Sequence, residues 1–163
     1  PTVIRFPKGN VPQPIGALRR MSDGVDVISE GKSSDVLLVA IGSLVPLAQK
    51  VAELLATAGI GATVVDPRWV IPVPHSIVEM ARTHRLVVSI EDGIRVGGIG
   101  TRIRQDLRAA GIDTGVDELG LPDEFLEHDT RDNILKRVGL DAETIAGKIK
   151  AQFAGKEIPQ AKP

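Results

Sequence analysis

Val36–Leu37–Leu38–Val39–Ala40–Ile41 is an unbroken apolar run of strand length, and its continuity decides the fold. A strand with one wet face alternates apolar and polar side chains. A strand with no polar position is buried on both faces, the place of a central strand in a parallel sheet covered by helices. The residues that follow agree. Ser43 is positioned to cap a helix, with Pro46 tolerated in its first turn. Leu44, Leu47, Ala48, Val51, Leu54, Leu55 and Ala58 recur at helical spacing and make one apolar stripe. Gly59 closes that helix in the usual way.

Downstream, Ala62–Thr63–Val64–Val65 reads as a second strand leading into Asp66–Pro67–Arg68–Trp69–Val70–Ile71–Pro72. A helix near 76–83 would bury Ile77, Val78, Met80 and Ala81. Leu86–Val87–Val88–Ser89–Ile90 is the third strand. Gly97, Gly98 and Gly100 introduce a helix with Ile99, Ile103 and Leu107 on one face, ended by Gly111. Residues 116–119 fit a fourth strand. Two last helices, 130–138 and 142–153, are separated by Gly139, with Asp141 as the second one's cap.

Upstream, 1–5 reads as a short β-type run stopped by Pro7 and Gly9. Residues 10–34 read as a Pro- and Gly-rich linker with one possible short strand at Val25–Ile28, and 155–163 as a frayed tail. Alternation of short apolar strands with helices predicts an α/β domain over 35–154, a three-layer sandwich with a mostly parallel sheet. The chain opens at Pro1, without Met, in strand-like sequence, and reads as part of a longer protein.

Composition excludes several function classes. With 163 residues, 25% charged and a net charge of −1, there is no electrostatic footprint for nucleic acid or an anionic membrane. The aromatics Phe6, Trp69, Phe125 and Phe153 are too scattered for a base-stacking platform. Cysteine is absent, which removes disulfides, zinc–thiolate sites and Cys nucleophiles and suits a reducing cytoplasm. No apolar run is long enough to span a bilayer.

Familiar motifs fail on their mechanics. Gly31–Lys32–Ser33 lacks the earlier glycine of a phosphate loop, because that position holds Asp26. Gly98–Ile99–Gly100–Thr101–Arg102–Ile103 opens a helix after a strand, yet Ile103 replaces the glycine that a dinucleotide fingerprint requires. These glycines are better read as backbone that packs tightly at a helix start. His75, His84 and His128 show no metal-ligand spacing. Ser43 lacks a nucleophile elbow. Glu91–Asp92 is the acidic pair best placed for function, at a strand's carboxyl end, but no base or ligand neighbours it in sequence.

Several stretches taken together resemble one family. Pro1–Thr2–Val3–Ile4–Arg5–Phe6–Pro7–Lys8–Gly9 resembles the segment that closes the pyrimidine-binding domain of 1-deoxy-D-xylulose-5-phosphate synthases. Residues 35–42, 64–72, and Ile90–Glu91–Asp92–Gly93 with Gly97–Gly98–Ile99–Gly100 look like the transketolase-type C-terminal domain, shared with transketolases and pyruvate dehydrogenase beta subunits. Leu119–Gly120–Leu121–Pro122–Asp123–Glu124–Phe125, then Glu127–His128 and 131–140, are similar to the synthase branch alone.

The resemblance implies the following. The full-length enzyme condenses pyruvate with D-glyceraldehyde 3-phosphate, releasing carbon dioxide, for isoprenoid, thiamine and pyridoxal synthesis. Thiamine diphosphate and magnesium are held by two preceding domains, so this chain alone binds neither and is inactive. It works as part of a cytoplasmic homodimer, docked on those domains. Residues 1–9 end the preceding domain, and Arg5 there binds the phosphate of the aldehyde, with Phe6 and Lys8 in neighbouring motif positions. Arg95 departs from the small or apolar residues usual in its turn, and His128 matches a recurrent histidine; neither acquires a role, nor does Glu91. The competing readings are another thiamine-diphosphate enzyme's C-terminal domain, a nucleotide or flavin binder using 97–100, and a pure interaction module.

Overall fold

The computed structural model of the chain describes residues 1–4 and 13–155. Arg5, Phe6, Lys8 and the tail from residue 156 lie outside the described residues.

The central run forms strand β3 (Val36–Ala40), and all five of its residues are buried. It lies between β4 (Ala62–Asp66) and β5 (Leu86–Ile94), parallel to both. Beyond β5 comes β6 (Gly115–Leu121), again parallel. The period-two alternation of a strand explains how one apolar run serves two cores. Val36, Leu38 and Ala40 enter one cluster with Val51 and Leu55 of helix α1 (Val45–Ala56) and Ile145 and Ile149 of α5 (Ala142–Gly155). Leu37 and Val39 enter the other, with Ile77 of α2 (His75–Thr83) and Ile103 and Leu107 of α3 (Ile99–Ala109). Two apolar cores on opposite faces of one sheet make the expected three-layer sandwich.

Two strands come from the stretch read as linker. β1 (Arg19–Arg20) and β2 (Asp26–Ser29) form an antiparallel hairpin, and β2 pairs antiparallel with β4. The sheet therefore has six strands in the order β1-β2-β4-β3-β5-β6. Val25 and Val27 have no exposed surface, so this hairpin belongs to the folded unit. Of the run 1–5 read as β-type, residues 1–4 are described; they pair with no strand among the described residues, and Val3 and Ile4 are exposed.

The helix after β3 begins differently from the expectation. Gly42, at φ 56°, starts a tight turn over Gly42–Leu44, and α1 follows with Leu44 at its cap position and Pro46 in its first turn. Ser43 thus caps nothing and points outward. By contrast, Thr130 caps α4 (Arg131–Arg137) through the Asn133 amide, and Asp141 accepts from the Thr144 amide at 3.0 Å as expected.

His84 is a structural histidine. Its Nδ1 lies 2.7 Å from the Met80 carbonyl and its Nε2 3.1 Å from the Thr63 hydroxyl. A carbonyl only accepts, so Nδ1 carries the proton and the Thr63 hydroxyl donates to Nε2. Burial lowers its pKa below the ordinary histidine value of 6.5. The unfolded chain then binds a proton that the folded chain resists, so stability is full above pH ~6.5 and falls as pH drops below it. The expected outcome is a melting midpoint that declines between pH 7.5 and 5.5 in the native chain and much less in His84→Gln, followed by thermal denaturation. Equal slopes would remove His84 from the pH response.

Candidate functional site

In a sheet of this topology, ligands are expected at the carboxyl ends of the strands, where the connections diverge. Here β3 leads to β4 on one side while β5 leads to β6 on the other, and α1 and α3 lie on opposite faces. The divergence falls between the ends of β3 and β5, bounded by Ser43 and Asp92. A side chain of the domain itself crosses that gap. Arg131, the first residue of α4, donates to the Asp92 carboxylate at 2.8 Å and reaches the Ser43 hydroxyl at 3.4 Å. The ion pair has Asp92 largely out of water, where charge-assisted contacts are stronger than at an open surface.

The second default position is the N-terminus of α3, where free backbone N–H groups attract anions. Glu91 fills it. Its carboxylate accepts from the Gly100 amide at 3.4 Å and also from the Ile99 amide. The glycines explain how it gets so close: a Cβ on Gly98 would lie within 2.7 Å of both carboxylate oxygens. A Cβ on Gly100 would meet the Ser89 hydroxyl and Glu118 Cγ. Gly98 and Gly100 thus serve tight packing, and a phosphate in the manner of the dinucleotide fingerprint would have to displace Glu91.

Charge around this edge is mostly paired. Glu118 accepts from Thr101 at 2.8 Å and pairs with Arg104 at 2.9 Å, tying β6 to α3. Asp26 takes two bonds from Arg20, at 2.6 and 2.9 Å, which hold its carboxyl below the usual carboxylate range. Burial raises the Asp66 carboxyl, with the charge of Asp26 adding to it, and Asp66 accepts from the Arg68 amide at 2.8 Å. Arg68 itself sits at φ 57°, the left-handed region that a non-glycine residue enters at a cost of ~1–3 kcal/mol, and such strain gathers at functional edges. No sequence pattern announced it. Arg95 packs over Gly120 beside a cleft of about 390 Å³ that Phe125 also lines. His128 is exposed in the loop before α4.

A larger cavity, about 490 Å³, opens at the opposite end of the sheet between α1 and residues 29–33. It lacks the strand-end carboxylates and helix N-terminus described above. Among the described residues, no three His, Asp or Glu side chains are grouped to hold a metal, and no helix is long and apolar enough to cross a membrane.

Residues 25–145 match the family model described as transketolase, C-terminal domain. The chain belongs to the transketolase C-terminal domain family. Among curated proteins, it is 63% identical over all 163 residues to a protein named 1-deoxy-D-xylulose-5-phosphate synthase from Clavibacter sepedonicus, covering 25% of that protein. It is 62% identical over the same 163 residues to the one from Leifsonia xyli subsp. xyli, again 25% of its length. The chain thus spans about a quarter of the length of the curated relatives it matches. Among solved structures, a split-gene transketolase described as an inactive β4 tetramer superposes with TM-score 0.75 at 25% identity, over 90% of this chain and 48% of that one. A transketolase from Pichia stipitis, at TM-score 0.65 and 20% identity, covers 94% of this chain and 22% of that one, and shows the shared fold alone.

Within this transketolase C-terminal domain, Glu91 has a measurable signature. Burial raises its carboxyl pKa, the nearby Glu118 charge adds to that, and the Gly100 and Ile99 amides offset it only in part. On raising the pH, the unfolded chain releases this proton first, so ionisation of Glu91 weakens the folded state as pH climbs through the carboxylate range. Glu91→Gln carries no such penalty. In urea titrations its stability relative to the native chain should rise from pH 4 to pH 7. A relative loss over that range would show that the helix N-terminus outweighs desolvation.

Proposed function

We propose that this chain is the C-terminal quarter of a 1-deoxy-D-xylulose-5-phosphate synthase. The observation that carries the reading is end-to-end similarity, 63% over the whole chain, to a synthase four times its length. The intact enzyme would join pyruvate to D-glyceraldehyde 3-phosphate, giving 1-deoxy-D-xylulose 5-phosphate and carbon dioxide, as a cytoplasmic homodimer. Identity favours this over the transketolase reading, since the solved transketolases stand at 25% and 20%.

Thiamine diphosphate supplies such an enzyme with an electron sink for carbon–carbon bond chemistry. The described residues do not fit it or its magnesium: they present no group of three His, Asp or Glu side chains for a metal, and Glu91 fills the N-terminus of α3, where a diphosphate would otherwise find free amides. We therefore assign the cofactor to the preceding domains. Residues 1–9 would end the last of these, 10–34 would lead across and include the edge hairpin, and 35–154 would form the C-terminal domain proper.

Arg5 is the substrate contact in this reading. Its planar guanidinium suits the phosphate of the aldehyde. In the intact enzyme, Arg5→Ala should raise KM for glyceraldehyde 3-phosphate about ten- to a hundredfold, the equivalent of one charge-assisted hydrogen bond of ~1.5–3 kcal/mol. Cofactor affinity should hold. Steady-state kinetics with each substrate varied in turn decides it, and an unchanged KM for the aldehyde would remove Arg5 from the site.

A further inference from the structure

Beyond the N-terminal stretch and hairpin, every large apolar side chain left exposed among the described residues lies at or past the carboxyl end of a parallel strand. Trp69 and Ile71, 74% and 67% exposed, follow β4. Ile94 and Val96, 50% and 71% exposed, end and follow β5, and Phe125, fully exposed, follows β6. Single exposed apolar residues are ordinary; their concentration at one edge is a mark of an interface.

The backbone at Ile94 and the Trp69 side chain are held in place although water surrounds them. Ile94 pairs in register with Leu121, and the Arg95 amide donates to the Leu121 carbonyl at 2.9 Å, so the β5–β6 ladder resumes beyond an irregularity. Gly120 lets the Gly93 carbonyl and the Arg95 backbone approach to about 3 Å of where a Cβ would be. The Trp69 indole N–H donates to the Ile71 carbonyl at 2.5 Å. A fixed apolar surface binds without the entropy cost of ordering a loop.

We propose that the strand-end edge carrying Trp69, Ile71, Ile94, Val96 and Phe125 is the face that docks on the preceding part of the same polypeptide. The surface it meets is apolar. This rests on the synthase reading, in which relatives hold three-quarters of their length outside the matched region. A covalent tether then presents that surface at an effective concentration in the millimolar range, which outcompetes a second free copy of the domain.

Hydrogen–deuterium exchange on this chain and on the intact polypeptide tests the proposal. Residues 69–71, 94–96 and 124–126 should exchange at least about tenfold more slowly in the intact polypeptide. Phe125→Asp should leave the melting midpoint of the isolated chain unchanged and reduce that protection. Equal exchange in an intact polypeptide that turns over pyruvate and the aldehyde would overturn the docking face while leaving the synthase reading in place. Protection that appears in the isolated chain as its concentration rises, and vanishes in Phe125→Asp, would give the face to a second copy and overturn it too. Protection in an intact polypeptide that lacks synthase activity would uphold the docking face and remove the synthase reading.

Discussion

Burial of Val36–Ala40 on both faces is the constraint from which the rest of the structure follows. A strand with water on neither side needs a parallel neighbour on each edge and a helix layer above and below. Those demands fix β4 and β5 beside it and distribute the helices between two cores. They also fix where the connections diverge, and hence where an α/β domain would ordinarily keep a ligand.

At that place the domain uses its own side chains. Arg131 spans the gap between Asp92 and Ser43, and Glu91 takes the backbone N–H groups that open α3. Both arrangements place charge where water is scarce. They persist because each charge has a fixed partner: a guanidinium for Asp92, and oriented amides for Glu91. The same contacts tie strand ends to helices on the edge where the exposed apolar residues stand, so the edge is stiffened without being given a reactive group.

Much of this was legible in the sequence. The apolar run at 36–41, the helical stripe over 44–58 and the glycine-led start of α3 each follow from local periodicity, and each appears in the structure close to the expected bounds. The tight-packing reading of Gly98 and Gly100 also holds: Glu91 needs the space at Gly98, and Ser89 and Glu118 need it at Gly100. What escaped depends on partners distant in the chain. A two-residue strand such as Arg19–Arg20 has no periodicity to detect, and its place is set by pairing with β2. Ser43 has a cap residue's chemistry, but Gly42 turns the backbone first. Glu91 and Asp92 looked alike as neighbouring acids. Alternation along β5 sends one to α3 and the other to Arg131. The exposure of Ile71, Ile94 and Val96 is a property of the assembled sheet edge and leaves no mark in hydrophobicity alone. The left-handed backbone of Arg68 leaves no mark in composition or spacing.

Isothermal titration calorimetry of the isolated chain with thiamine diphosphate and magnesium addresses the central claim most directly. If the domain's own Arg131 and Glu91 fill its ligand positions, the titration gives only heats of dilution. Saturable binding at micromolar affinity would contradict it.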